Sequence, residues 1–546
     1  VRIKQVISGL RSRAYSVDWT LLAFLILFLN IKLVVKVAAL VLVFILRPNF
    51  KFGFALRNSR LPLFYLLVIG IAIFNWLISG MMGSFNYGLV LATGIFFWIL
   101  CILAVHQIKL SVEKDDPVTI HQTVVLFFIL NALVSLFVYV DIVAETGAIN
   151  VYRYQGNYQR YFIGTGDYIK GISFDTSTTN AILNAFGVIY FLQKGKNIMT
   201  VLCMAVLLLT SSNITNLMLC GILVFLFFLQ SNRIQKSMII ICIVMFATFL
   251  IKISPQNNNY IVNGYREIFN IQPGTKKATV VSVPITKRPD SSLTEDEKKQ
   301  KIAQLYLDSI ATVSLEEKKK KSIVQPAFKE KPEIPGDNIH TAMFQYRRDT
   351  NDAERILLQF MKTHNTEMPI SAGMGVQPGL PGKVIAFRQT FQYFSQHTGR
   401  LLLGTGIGNF SSKLAFRATS MKMTGGYPEK FIYINDDFKS NHLDLYLYYF
   451  TSKDDYHSIA NSPNSTYDQL LSEYGVTGFA AFAFFYIGFF IKKLNFFAYS
   501  IPLLLFMSGI FFFDYWFEQL SVIVFFELLL LLNIKEIDLN YAHSGA

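Results

Sequence analysis

Asn464 and Ser465 close a polar run, Asn461 to Tyr467, that passes directly into an apolar segment carrying Asp468, Glu473, Gly475 and Gly478. An amide, a hydroxyl and two carboxyls at the mouth of an apolar helix form a set able to hydrogen-bond and to move protons. Two histidines, His442 and His457, stand upstream in a hydrophilic loop. Imidazole is the side chain whose ordinary pKa suits proton transfer near neutrality. A polar motif at the mouth of a membrane bundle, facing a large soluble loop, is where an enzyme acting on a lipid-linked substrate would place its chemistry.

The elements that must position these groups are membrane helices. The chain of 546 residues is 52% hydrophobic with 50 phenylalanines, and only 16% of it is charged, against about 25% in ordinary soluble domains. This composition predicts an all-α polytopic membrane protein, because lipid tolerates only backbones that satisfy their own hydrogen bonds. Apolar windows predict about twelve spans. They fall near 17–31, 33–46, 61–80, 87–108, 119–141, 178–193, 197–211, 214–230, 237–253, 466–491, 497–513 and 517–534. The first two read as a tight hairpin, since Asn30, Lys32 and Lys36 interrupt the apolar run.

Basic residues mark alternate loops: Arg2, Lys4, Arg11 and Arg13 before the first span, then Arg47, Arg60, Lys109, Lys194, Arg233, Lys492 and Lys535 after later ones. The positive-inside rule then predicts both termini in the cytoplasm. Two polar segments fall outside, 142–177 and 254–465. The chain divides into an N-terminal bundle (1–253), a large external loop (254–465) and a C-terminal bundle with its tail (466–546). Within the loop, 255–340 reads as a variable insert with one helix near 294–314. The motif-bearing part, 342–465, carries a helix from Lys383 to His397 preceded by Pro381. The net charge of +14 reflects cytoplasmic anchors and loop lysines facing anionic headgroups, not a nucleic-acid surface. The four cysteines lie in apolar segments, so the loop has no disulfide framework.

Beyond that helix comes the glycine-rich turn Gly404-Thr405-Gly406-Ile407-Gly408-Asn409-Phe410. It lacks the strand-then-helix setting of a nucleotide site and by itself reads as a tight structural turn.

The order of these features resembles the O-antigen ligase and O-antigen polymerase superfamily of bacterial polytopic membrane glycosyltransferases, and the resemblance covers nearly the whole chain. It rests on Arg388 in an apolar-aromatic helix, the glycine turn, and Asn464-Ser465 with Glu473-x-Gly475 and Gly478 entering a span. A shorter external loop bears Arg153 and Arg160, and Ser211-Ser212-Asn213 stands at the turn between spans seven and eight. The resemblance implies a GT-C-like bundle in the inner membrane, with a periplasmic loop between helices 9 and 10. The implied activity is inverting transfer of a glycan from undecaprenyl pyrophosphate to an acceptor hydroxyl, on lipid A core or a growing glycan, without metal or other cofactor. A leaving diphosphate must then be stabilised by guanidinium groups, which offer charged bidentate donors. This makes Arg388 and Arg160 the expected catalytic arginines. Arg153, Lys383, Asn409, Ser465, Asp468 and Glu473 are the expected substrate-binding residues.

One departure stands out. The ligases carry a histidine, then Asn, Ser or Gln, nine residues and Gly-x-x-Gly. In this chain Ser465 fits the second position and Asn464 occupies the histidine's place. An amide cannot take a proton at neutral pH and can only position a hydroxyl or phosphate, so a substitute base is expected nearby. The candidates are His457, His442 and the carboxyls Asp468 and Glu473, whose pKa burial would raise; Glu473 alternatively braces the loop or the helix end. The departure tilts the ligase-like reading toward a repeat-unit polymerase or an atypical ligase. A polysaccharide or lipid transporter is the rival class, although no matching internal halves are visible.

Overall fold

The computed structural model describes residues 17–147, 149–153, 165–254, 301, 381–420, 426–451, 462–494 and 498–544. Among them every regular element is a helix. In chain order these are α1 (Trp19–Phe28), α2 (Leu33–Leu46), α3 (Phe64–Ile78), α4 (Phe85–Lys114), α5 (Pro117–Thr146), α6 (Ser177–Gln193), α7 (Asn197–Leu209), α8 (Asn213–Leu229) and α9 (Arg233–Ile253). After the large loop's insert come α10 (Gly382–Gln396), α11 (Lys413–Ala418), α12 (Asp436–Asn441), α13 (Leu443–Thr451), α14 (Thr466–Ile491), α15 (Ser500–Ile510), α16 (Trp516–Gln519) and α17 (Ser521–Ser544). Local chemistry sets the ends. Asp18, Ser84 and Thr176 accept backbone N–H groups at the starts of α1, α4 and α6, and Asn232 forms a capping box with Gln235 at α9.

Among the described residues four helices, α4, α5, α9 and α14, are long and apolar enough to cross a membrane; α1, α2, α3, α7, α8 and α15 are shorter apolar helices. The centre of the bundle is protein rather than lipid. Residues Ala181 to Leu192 of α6 and Val522 to Leu532 of α17 are enclosed almost completely by their neighbours.

The expected hairpin is present, but its arms are short. With 10 residues in α1 and 14 in α2, the arms rise about 15 and 21 Å, against a hydrocarbon core of about 30 Å. Its two ends meet where Arg47 pairs with Asp18 at 2.8 Å, so the chain enters and leaves at one end of the bundle. Lys36, the awkward cation in the sequence, is buried and donates to the Phe28 carbonyl at 2.8 Å and to Ser521 at 2.6 Å. It thereby satisfies a carbonyl left over at the end of α1.

Loop ends rich in Lys and Arg gather at that same end. Arg60 binds Glu113, Lys493 donates to the Ser59 carbonyl, and Lys535 donates to the carbonyls of Val112 and Asp115. The other end carries the glycine turn, α10 and the head of α14, tied to α3 through Asn75 and to α4 through a Tyr427–Thr93 hydrogen bond.

Candidate functional site

The site is built on a broken helix. At Gly475 the backbone leaves helical geometry (φ 68°, ψ −169°) inside α14, a conformation that glycine reaches at least cost. The freed groups pair with the glycine turn. Thr405 N–H donates to Ser472 O at 2.9 Å and Gly406 N–H to Glu473 O at 3.0 Å; in return Val476 N–H donates to Leu401 O at 2.9 Å and Thr477 N–H to Leu402 O at 3.1 Å. Irregular backbone at the edge of an apolar bundle is tolerated because protein groups satisfy it in this way.

Glu473 locks the same junction. Its carboxylate accepts from the N–H groups of Gly408 (2.8 Å), Phe410 (3.1 Å) and Ser412 (3.1 Å). Its acceptors are therefore occupied by the turn it folds, and it braces the loop. Asn409 is likewise internal: its amide donates to Thr405 O at 2.8 Å and its carbonyl accepts from Tyr433 Oη at 2.9 Å. Sequence reasoning expects both to bind substrate; in the structure they hold the glycine turn.

Lys383 was also expected on the substrate. Instead its buried ammonium donates to three backbone carbonyls, Ser462 (3.0 Å), Asn464 (2.5 Å) and Phe513 (2.9 Å), matching the three donors of the group. Burial lowers its pKa to about 7, opposed by the nearby Asp514 carboxylate. The lysine clamps α10 to the head of α14 and to the α15–α16 turn.

His442 does not lie on a loop surface. Its ring is wholly buried against Phe410, Phe438 and Tyr446, and neither nitrogen has a hydrogen-bond partner among the described residues. Burial pushes its pKa down to about 3, so the imidazole is a neutral core ring, because an apolar shell penalises the charged form. His457 and Arg160 lie outside the described residues, as do 255–300 and the expected helix near 294–314 apart from Lys301. Of Arg153, only the backbone is described, in a single 3-10 turn.

Arg388 stands on the exposed face of α10 and has no carboxylate at ion-pair distance among the described residues. Its face is shared by Val384 and Phe391, which are 44% and 60% exposed. Phe387 stacks on Phe512 with ring centroids 5.5 Å apart. A cation beside exposed apolar rings suits the level of lipid headgroups.

The opposite face of α10 packs on the head of α14, where Asn464 and Ser465 lead into the helix and Asp468 lies in its first turn. Thr390 donates to Asp468 Oδ1 at 2.7 Å. Asp468 Oδ2, Ser465 Oγ, Asn464 Oδ1 and both amide atoms of Gln389 are buried with no hydrogen-bond partner at close range among the described residues, and the Ser411 hydroxyl also interacts with the Asp468 carboxyl. Gln389 escaped the sequence reading; only its place one residue after Arg388, on the buried side of the α10 period, could have flagged it. Ser411 lies alongside, its hydroxyl paired with Ser472 at 2.6 Å.

The sequence reading also leaves out Glu527, a buried carboxylate in the second turn of α17, which accepts from Tyr65 and, at 3.0 Å, from Tyr486.

No protein-family model matches the chain, and no curated protein or solved structure matches it significantly.

Proposed function

We propose that this chain is an inverting, metal-independent glycosyltransferase that moves a glycan from a polyprenyl-pyrophosphate carrier to an acceptor hydroxyl at the outer face of the bacterial inner membrane. In this reading the end rich in Lys and Arg is cytoplasmic, the glycine turn and α10 are periplasmic, and the shorter apolar helices complete the bundle. The short first hairpin leaves this orientation intact, because a segment that returns to its own side does not change the parity of later spans.

The observation that carries the reading is the α10–α14 junction. There Gln389 of α10 and Asn464, Ser465 and Asp468 at the head of α14 keep buried side-chain atoms that have no hydrogen-bond partner among the described residues. Folded proteins pair nearly all such groups, and an unpaired one costs about 1–3 kcal/mol. Arg388, one position before Gln389 on the exposed face of the same helix, has no carboxylate at ion-pair distance among the described residues. A guanidinium in that position is the group suited to stabilise a leaving diphosphate. The amide at Asn464 favours the polymerase branch of the same chemistry over ligation to lipid A core.

The test is transfer by the purified protein in nanodiscs, supplied with a polyprenyl-pyrophosphate glycan and either lipid A core or free repeat unit as acceptor. Arg388→Ala is expected to reduce transfer by about 10²–10³-fold with unchanged thermal stability. Arg388→Ala protein that transfers normally but no longer moves glycan across the bilayer would instead make the chain a transporter.

A further inference from the structure

We propose that the glycine turn and its flanks are embedded in the leaflet at their end of the bundle. Phospholipid acyl chains cover Leu402, and Phe391 and Phe431 lie at the headgroups, where Lys430 meets a glycerophospholipid phosphate. This membrane contact is independent of the transferase reading above.

The first observation is depth. A Cβ on Gly94 would lie 2.1 Å from Ile407 Cδ1, and one on Gly408 would lie 2.4 Å from Val90 Cγ1. The glycine turn therefore sits against the second and third turns of α4, below the start of that helix. On the other side Asn75, three residues before the end of α3, donates to the carbonyls of Leu403 and Gly404 at 2.7 and 3.1 Å. Measured from the opposite end of α4, Val90 and Gly94 stand about 27 and 21 Å from Ile108, the residue before its first lysine. Both fall within a hydrocarbon core of about 30 Å. Backbone at that depth must have its hydrogen bonds met by protein, and the pairing of the turn with α14 does this.

The second observation is continuity with helices able to cross the membrane. Leu401 and Leu402 carry the carbonyls that accept from Val476 and Thr477 of α14. Leu401, Leu402, Val476 and Phe479 are all exposed, so lipid that covers the last two reaches the first two as well. At α4, Phe431 meets the exposed first residue, Phe85, with ring centroids 6.2 Å apart, and Asn86 donates to the Ile432 carbonyl at 2.9 Å. On α10, Phe387 joins the exposed Phe391 to Phe512, just past the end of α15. A soluble partner would have to displace lipid at all three junctions. The Lys430 ammonium lies 4.6 Å from the Phe431 ring centroid. A lysine over an aromatic ring at the edge of an apolar surface places its charge among headgroup phosphates.

The experiment uses the full-length protein in nanodiscs of phosphatidylglycerol carrying a photoactivatable diazirine, either mid-chain or at the headgroup, with crosslinked peptides mapped by mass spectrometry. The chain probe is expected to label 399–403 together with 476–491. The headgroup probe is expected to label 384–392 and 429–432, and neither probe to label α12, whose Asp436 is exposed. Lys430→Gln is expected to lower headgroup labelling of 429–432 and to leave chain labelling of 399–403 unchanged. Labelled 476–491 with unlabelled 399–403 overturns the embedding, whether a soluble partner or the chain's own insert covers the turn. Undiminished headgroup labelling in Lys430→Gln overturns the phosphate contact. Failure of glycan transfer leaves both standing.

Discussion

Gly404 and Gly475 cross with their backbones in contact. A Cβ on Gly404 would lie 2.5 Å from the Glu473 carbonyl carbon, and one on Gly475 would lie 2.6 Å from the Gly404 nitrogen. Both residues hold positive φ, at 72° and 68°. The crossing joins the external loop to the broken span, and every group assigned to the site hangs from it.

Alanine at either glycine is therefore expected to destabilise the protein by about 2–4 kcal/mol, from the left-handed backbone and the overlap together. Thermal unfolding in detergent checks this. Gly399, where a Cβ meets open space, serves as the control and is expected to accept alanine without a comparable loss.

Glu473→Gln replaces a carboxylate that accepts three backbone N–H groups. Hydrogen bonds to a charged group contribute about 1.5–3 kcal/mol each, and an amide both weakens them and adds a donor facing donors. The expected result is loosening of the glycine turn, read as faster amide hydrogen exchange at 405–412 and a lower melting temperature.

Lys383 supplies a pH signature. Its pKa in the folded chain is about 7, against an ordinary value of 10.5. Between those values the unfolded chain holds a proton that the folded chain lacks, so stability rises with pH across that window; below about 7 both states are charged and the dependence flattens. Denaturation at a series of pH values checks the slope. Lys383→Met is expected to remove it and, by orphaning three carbonyls, to cost about 2–4 kcal/mol.

His442→Phe is expected to fold and to transfer glycan at the wild-type rate, with a change in stability below about 1.5 kcal/mol. A ring already neutral and packed against three aromatic side chains loses no polar contact on this exchange. Loss of the pH–rate profile in this variant would restore the histidine as a base.

Glu527→Gln keeps an acceptor for the Tyr65 and Tyr486 hydroxyls and is expected to be nearly neutral for stability. Glu527→Leu leaves both hydroxyls buried and unpaired, at about 1–3 kcal/mol each. Paired thermal melts separate the two outcomes.

The sequence by itself determined what is local. Apolar runs and their punctuation placed the helices, as at α10, read as Lys383 to His397 and found at Gly382–Gln396. The turn at Ser211–Ser212 also fell where it was read, between α7 and α8. Periodicity reports which face of a helix is buried, because neighbours three or four residues apart share a side. It does not report what that face meets. Glu473 and Gly408 are 65 positions apart and Lys383 and Asn464 81 apart, so their pairing depended on how the loop returned to the bundle. Only the tertiary structure decided that Glu473, Asn409 and Lys383 hold the scaffold, that His442 is core, and that Gln389, Asn464, Ser465 and Asp468 are buried. The physical reason is that a polar side chain's role is set by whether folding satisfies its hydrogen bonds, and that is a property of contacts across space, absent from any short stretch of chain.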